Sequence, residues 1–153
     1  MMMKRVQTFL QDQLRQGTSP QALALTIAVG AAIAVFPTLG ATTLLCFLAG
    51  VVLKLNQPAL QVINYALAPL QLLLIPFFLK LGAWICRVPA VSVNPQTMIA
   101  EFWASPGKFL ADYGWAGLQA ILAWIVVAPF IVLITRFVMK YLIDKAQKIR
   151  SPK

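Results

Sequence analysis

Thr38, Gly40, Thr42 and Thr43 sit at or just after the interruption Phe36-Pro37-Thr38-Leu39-Gly40 in an otherwise apolar stretch, and their types suit the binding of an anion. Pro37 and Gly40 break a helix, and the helix that restarts presents unpaired N–H groups and a partial positive charge, to which three threonine hydroxyls add donors. The same residues also fit a plain turn capped by threonine, because one Pro-x-x-Gly is a weak signal. Gln61, Asn64 and Gln71 fall within about 80° on a helical wheel of 3.6 residues per turn. Uncharged amides in an apolar span need partners, so they are expected to face the hairpin or another subunit. Helix–helix glue is the commoner role for such amides, and lining a path for a polar headgroup is the other. Arg15 and Lys54 are expected near the inner interface, where the two ends of the hairpin would meet. Together they either gather anionic headgroups, at on the order of 1 kcal/mol each near a charged leaflet, or only fix topology.

The rest of the chain is poor in reactive groups. It has no histidine, no carboxylate between Asp12 and Glu101, and no serine or cysteine beside a base. No catalytic residues, metal site or cofactor are therefore expected, and the chain does not read as an enzyme. The same gap removes the usual proton-relay and cation-coupling groups from the apolar core. Glu101 and Asp112 are the only acids away from the two ends, set among Phe102, Trp103, Phe109, Tyr113 and Trp115. Cys46 and Cys86 lack zinc or redox spacing and read as inert small hydrophobes.

The elements that must position these residues follow from composition. With 153 residues, 60% hydrophobic and 11% charged, the chain reads as a single all-α integral membrane domain. Thirteen Lys/Arg against four Asp/Glu give a formal charge of +9, and the basic residues flank the apolar spans. By the positive-inside rule both termini are expected to be cytoplasmic, and no nucleic-acid surface is expected. Met3, Val6, Phe9, Leu10 and Leu14 recur at helical spacing, predicting an amphipathic interfacial helix over residues 1–17. Residues 19–56 form a broken hairpin whose arms, Pro20 to Phe36 and Ala41 to Leu53, have 17 and 13 residues. A full crossing takes about 20, so the hairpin reads as re-entrant or as two thin spans, the counts leaning to the former. Small residues recur every four positions in each arm (Ala22, Thr26, Gly30 and Ala34; Thr42, Cys46 and Gly50), so the arms could pack together.

Residues 58–86 predict a span kinked or divided at Pro69 and Pro76. Lys80, roughly 33 Å along an unbroken helix from Pro58, would snorkel at the far interface. Residues 87–115 predict short outer-surface helices with aromatic belts, 116–138 a second span, and 139–153 a basic cytoplasmic tail. The first apolar stretch runs into a second without a convincing cleavage site, so no cleavable leader is expected.

The run Gly17-x-Ser19-Pro20, the small-residue helix through Gly30, Phe36-Pro37-x-x-Gly40, Thr42 and Leu55-Asn56-x-Pro58 resembles the bacterial membrane family called domain of unknown function twenty-sixty-two, over about residues 17–69. The resemblance implies a small polytopic protein of the bacterial inner membrane, and by association a link to lipid-carried sugars of envelope synthesis. The leading expectation is a homo-oligomer that binds and translocates an anionic lipid or polyprenyl phosphate. Thr38, Gly40, Thr42 and Thr43 would hold the phosphate, Asn64 and Gln71 would line its route, and Arg15 and Lys54 would gather it. The alternative is a non-catalytic membrane scaffold for an envelope glycosyltransferase or similar partner, and a passive channel ranks below both.

Overall fold

The computed structural model describes residues 8, 19–38, 40–92 and 94–150. The interfacial helix expected over 1–17 lies, with its Arg15 and all but Thr8, outside the described residues, as do Leu39 of the hairpin tip, Val93 and 151–153.

Among the described residues the chain folds as six helices: α1 (Pro20–Ala34), α2 (Ala41–Val52), α3 (Gln57–Ala66), α4 (Ala68–Cys86), α5 (Pro95–Ala104) and α6 (Pro106–Arg150). Their starts follow local rules. Ser19 caps α1 by accepting from the Ala22 N–H at 3.1 Å, Asn56 caps α3 through Ala59 at 2.9 Å, and Asn94 caps α5 through Gln96 at 3.0 Å. A proline stands in the first turn of each, where its missing N–H costs nothing. α2 and α4 end on left-handed residues, Lys54 (φ 52) and Arg87 (φ 56). The next N–H reaches back in each case, Leu55 to the Gly50 carbonyl at 2.9 Å and Val88 to that of Ala83 at 3.0 Å. This closing geometry satisfies end carbonyls at positions usually given to glycine.

Two boundaries differ from the sequence expectation. The stretch 58–86 divides at Leu67, while α4 takes Pro69 into its first turn and runs on through Pro76. A proline fits a first turn without loss, so the division falls just ahead of Pro69. Residues 106–115, expected in a surface segment, instead begin α6, a single helix of 45 residues. Nothing after Pro106 breaks it, and the helix runs on through Pro129. The stretch expected as a basic tail is partly packed, with Met139 and Ile143 against Leu23, Ala24 and Ile27 of α1.

α1 is the central helix, packed by α6, α3 and α2. Its small-residue stripe faces α3: a side chain on Gly30 would meet Ile63 at 3.2 Å and Leu60 at 3.3 Å. Gly50 of the second stripe lies against Gln57, at the start of α3. The arms of the hairpin thus approach one another less than each approaches α3. α4 and α6 pack through Phe78, Ala120 and Ala123, with Val35 joining from the end of α1.

α4 and α6 are long and apolar enough to cross a membrane. Their large side chains point outward, including Leu72, Leu73 and Phe77 on α4 and Phe130, Leu133 and Phe137 on α6, each more than half exposed. An apolar surface of that extent marks a membrane or protein contact.

One tie between α1 and α6 has a measurable worth. The Trp124 indole N–H donates to the Ala32 carbonyl at 2.8 Å, and its ring meets Phe36 edge-on at 4.9 Å. The Phe36 N–H has turned to Ile33, so the Ala32 carbonyl lacks its ordinary helical donor. Trp124→Phe keeps a ring beside Phe36 and loses the donor. We expect a loss of about 1 kcal/mol, read from unfolding in detergent as the SDS fraction rises.

Candidate functional site

The hairpin tip is built by side chains that reach in from two other helices. Pro37 ends the first arm, with Phe36 and Pro37 buried. Carbonyls are then left without helical donors, and a buried carbonyl without a partner costs about 1–3 kcal/mol. Gln71 of α4, 5% exposed, donates its amide to the Phe36 carbonyl at 2.8 Å and to that of Thr38 at 3.3 Å. Trp124 does the same for Ala32 from α6. Three tip carbonyls therefore have donors from outside the hairpin.

The donor side of the tip differs. Gly40 stands at the N-cap of α2 with φ 83, a conformation open to glycine, and contributes no side-chain cap. The space around it is open: a side chain there would find nothing within 4 Å. Thr38 and Gly40 are exposed, and so is Thr43 in the first turn of α2, whereas Thr42 is 6% exposed and turned into the packing. The tip thus combines occupied acceptors with first-turn N–H groups that no side chain caps.

Thr43 also anchors the hairpin to α3. Its carbonyl accepts from the Gln61 amide at 3.2 Å, and its hydroxyl lies 3.5 Å from both the Asn64 amide nitrogen and the Tyr65 hydroxyl. The Gln61 Oε1 is buried and has no partner among the described residues. All three amides singled out in the sequence therefore face the hairpin, Gln61 and Asn64 at the start of its second arm and Gln71 beneath its tip.

The structure does not bring every candidate together. Thr38, Gly40, Thr43, Asn64 and Gln71 gather around the tip. Lys54 lies beyond the other end of α2, roughly 18 Å away along a helix of 12 residues. Arg15 lies outside the described residues. Trp124 and Tyr65 belong to the tip and its anchor and were not singled out from sequence. A tryptophan within an apolar span was the available signal, since its N–H needs an acceptor when buried.

Beside the tip, α1 and α6 enclose an apolar groove of about 500 Å³ lined by residues such as Val29, Ala32, Ile33, Trp124 and Leu133. A polar tip with spare donors, next to a groove of this kind, has the two-part character of an amphipathic ligand's site.

No curated protein and no solved structure matches the chain. The model of a family described as "uncharacterized protein conserved in bacteria" (DUF2062) matches residues 3–151, almost the whole chain, which therefore belongs to that family.

Proposed function

We propose, with membership of that bacterial family as the premise, a membrane-embedded protein that binds and moves an amphipathic anion, a phospholipid or polyprenyl phosphate, at its broken hairpin. The observation that carries this reading is the asymmetry of the tip. Carbonyls of Ala32, Phe36 and Thr38 have donors, while the N-terminal turn of α2 offers N–H groups and the exposed hydroxyls of Thr38 and Thr43. A phosphate needs donors and a partial positive charge, and a helix start supplies both.

Depth supports the same reading. Phe36 packs on Trp124, which lies 12 residues before Arg136, about 18 Å along α6. Hydrocarbon is about 30 Å thick, so with Arg136 at one interface a tip at that level would lie within it, which supports a re-entrant hairpin. Uncapped N–H groups at such depth require a water-filled cavity, another subunit or a ligand. The adjacent groove of α1 and α6 would take the chain of the lipid, and neighbouring copies would complete the path.

Lipids retained after mild purification test the proposal by mass spectrometry. The wild type is expected to hold one phosphorylated lipid several-fold above its share of the membrane. Thr38→Val with Thr43→Val should return the profile to that of the bulk membrane. Retention of the same lipid by the double variant sinks the assignment, and a bulk profile in the wild type points to the scaffold instead.

A further inference from the structure

At the opposite end of α6 from its basic extension, the loop after α4 and helices α5 and α6 border an open cavity of about 540 Å³. Its wall includes Ser92, Glu101, Asp112, Tyr113, Trp115 and Gln119. This chain has only four acidic residues against thirteen basic ones, and two of the four line this one cavity. Neither forms an ion pair among the described residues, despite the excess of lysine and arginine. Glu101 is held in place from across the cavity: the Tyr113 hydroxyl donates to its Oε2 at 3.0 Å, with the Ser92 carbonyl at 3.4 Å.

Gln119 adds an unpartnered amide to the same wall. It is 6% exposed and lines the cavity, yet its side-chain amide has no hydrogen-bond partner among the described residues. Its backbone packs against Gly82 of α4, and the residue lines the cavity from the α6 side. The amide atoms keep contact with solvent, so a polar atom of a ligand in the cavity would replace water there.

We propose that this cavity binds an organic ammonium group, with the Glu101 and Asp112 carboxylates taking its charge, the Tyr113 and Trp115 rings its flank, and the Gln119 amide a neighbouring polar atom. Carboxylates beside aromatic faces are the chemistry that recognises ammonium cations. A divalent metal fits less well, since it asks for six or more oxygen ligands or a cluster of donors. Among the described residues no three His, Cys, Asp or Glu side chains stand together. Tyr113 lies 23 residues before Arg136, roughly 35 Å along α6, so the cavity sits at the interface opposite the basic end. None of these residues belongs to the hairpin.

Ammonium groups reach such a place either on a lipid headgroup or free in solution. The test is calorimetric titration of the full-length protein in dodecyl maltoside with three probes: butylammonium chloride, dihexanoyl phosphatidylethanolamine and the N-acetylated form of that lipid. An ammonium probe is expected to bind, and the N-acetylated lipid at least tenfold more weakly than its parent. Tighter binding of phosphatidylethanolamine than of butylammonium identifies a headgroup site, and equal binding identifies a site for free amines. Glu101→Gln with Asp112→Asn should weaken binding at least tenfold. Gln119→Leu, which removes a polar group that has no protein partner, should weaken binding without lowering thermal stability, and it tests the cavity even if the double variant folds poorly. The inference is overturned if neither ammonium probe binds, if the N-acetylated lipid binds as well as its parent, or if both the double variant and Gln119→Leu bind as the wild type does.

Discussion

Gly82→Val is expected to force α4 away from α6 and to destabilise the protein by about 3 kcal/mol, the upper end for overpacking. A Cβ at residue 82 would lie 2.3 Å from the Gln119 carbonyl oxygen and 2.8 Å from the Ala120 nitrogen. Both are backbone atoms inside a helix, so no rotamer change relieves the clash and the two long helices must separate. Small residues that let backbones approach are the ordinary device for packing apolar helices where the hydrophobic effect gives little. Two other glycines calibrate the effect. Gly50 is crowded only by the end of the Gln57 side chain, which can swing aside, and Gly114 has nothing within 4 Å. Unfolding in detergent followed by circular dichroism should therefore rank Gly82→Val far below wild type, Gly50→Ala slightly below, and Gly114→Ala at or above it, since alanine favours a helix by up to about 1 kcal/mol over glycine. A Gly82→Val protein as stable as the wild type would mean that α4 and α6 do not pack as described.

Gly82 drew no notice in the sequence because it belongs to no four-residue stripe, whereas Gly30 and Gly50 do. The stripes were legible, but the helix they face was not: a repeat of small residues marks a close approach without naming the partner, and here the partner is α3. Local rules travelled better. Ser19-Pro20, Asn56-x-Pro58 and Asn94-Pro95 begin helices because capping and a proline's missing N–H act within one turn. α6 likewise starts at a proline, Pro106, yet the aromatic residues after it suggested a separate surface element. Aromatic side chains report an environment and not a break in the backbone. The amides of Gln61, Asn64 and Gln71 were legible as groups in need of partners for the converse reason, that a polar group in an apolar span must be answered somewhere. Which carbonyls answer them depends on where the chain turns at Phe36, a matter of tertiary packing that no spacing in the sequence encodes.

Gln71→Leu should lower stability by about 2 kcal/mol and loosen the tip in particular. The side chain is 5% exposed, and its amide holds the Phe36 and Thr38 carbonyls at 2.8 and 3.3 Å, 35 and 33 residues away in sequence. Leucine fills much of the same volume, so the loss is of hydrogen bonds more than of packing, and the buried Phe36 carbonyl is left without a donor. Hydrogen exchange by mass spectrometry should then show the amides of residues 36–45 exchanging at least tenfold faster, while those of α4 and the middle of α6 change little. Uniform acceleration along the chain would instead indicate a global loss of stability, and no acceleration would remove Gln71 from the tip. The same variant separates support of the hairpin from recognition of its ligand. Thr38→Val with Thr43→Val leaves the Gln71 bonds to both carbonyls in place, so it should change the retained lipid with a smaller effect on exchange. Gln71→Leu releases acceptors beside the spare donors of α2, and an anion placed among free carbonyls is repelled. Its lipid enrichment and its tip protection should therefore fall together, whereas in the threonine double variant enrichment should fall with a smaller loss of protection, that of the Thr43 hydroxyl's contacts to Asn64 and Tyr65.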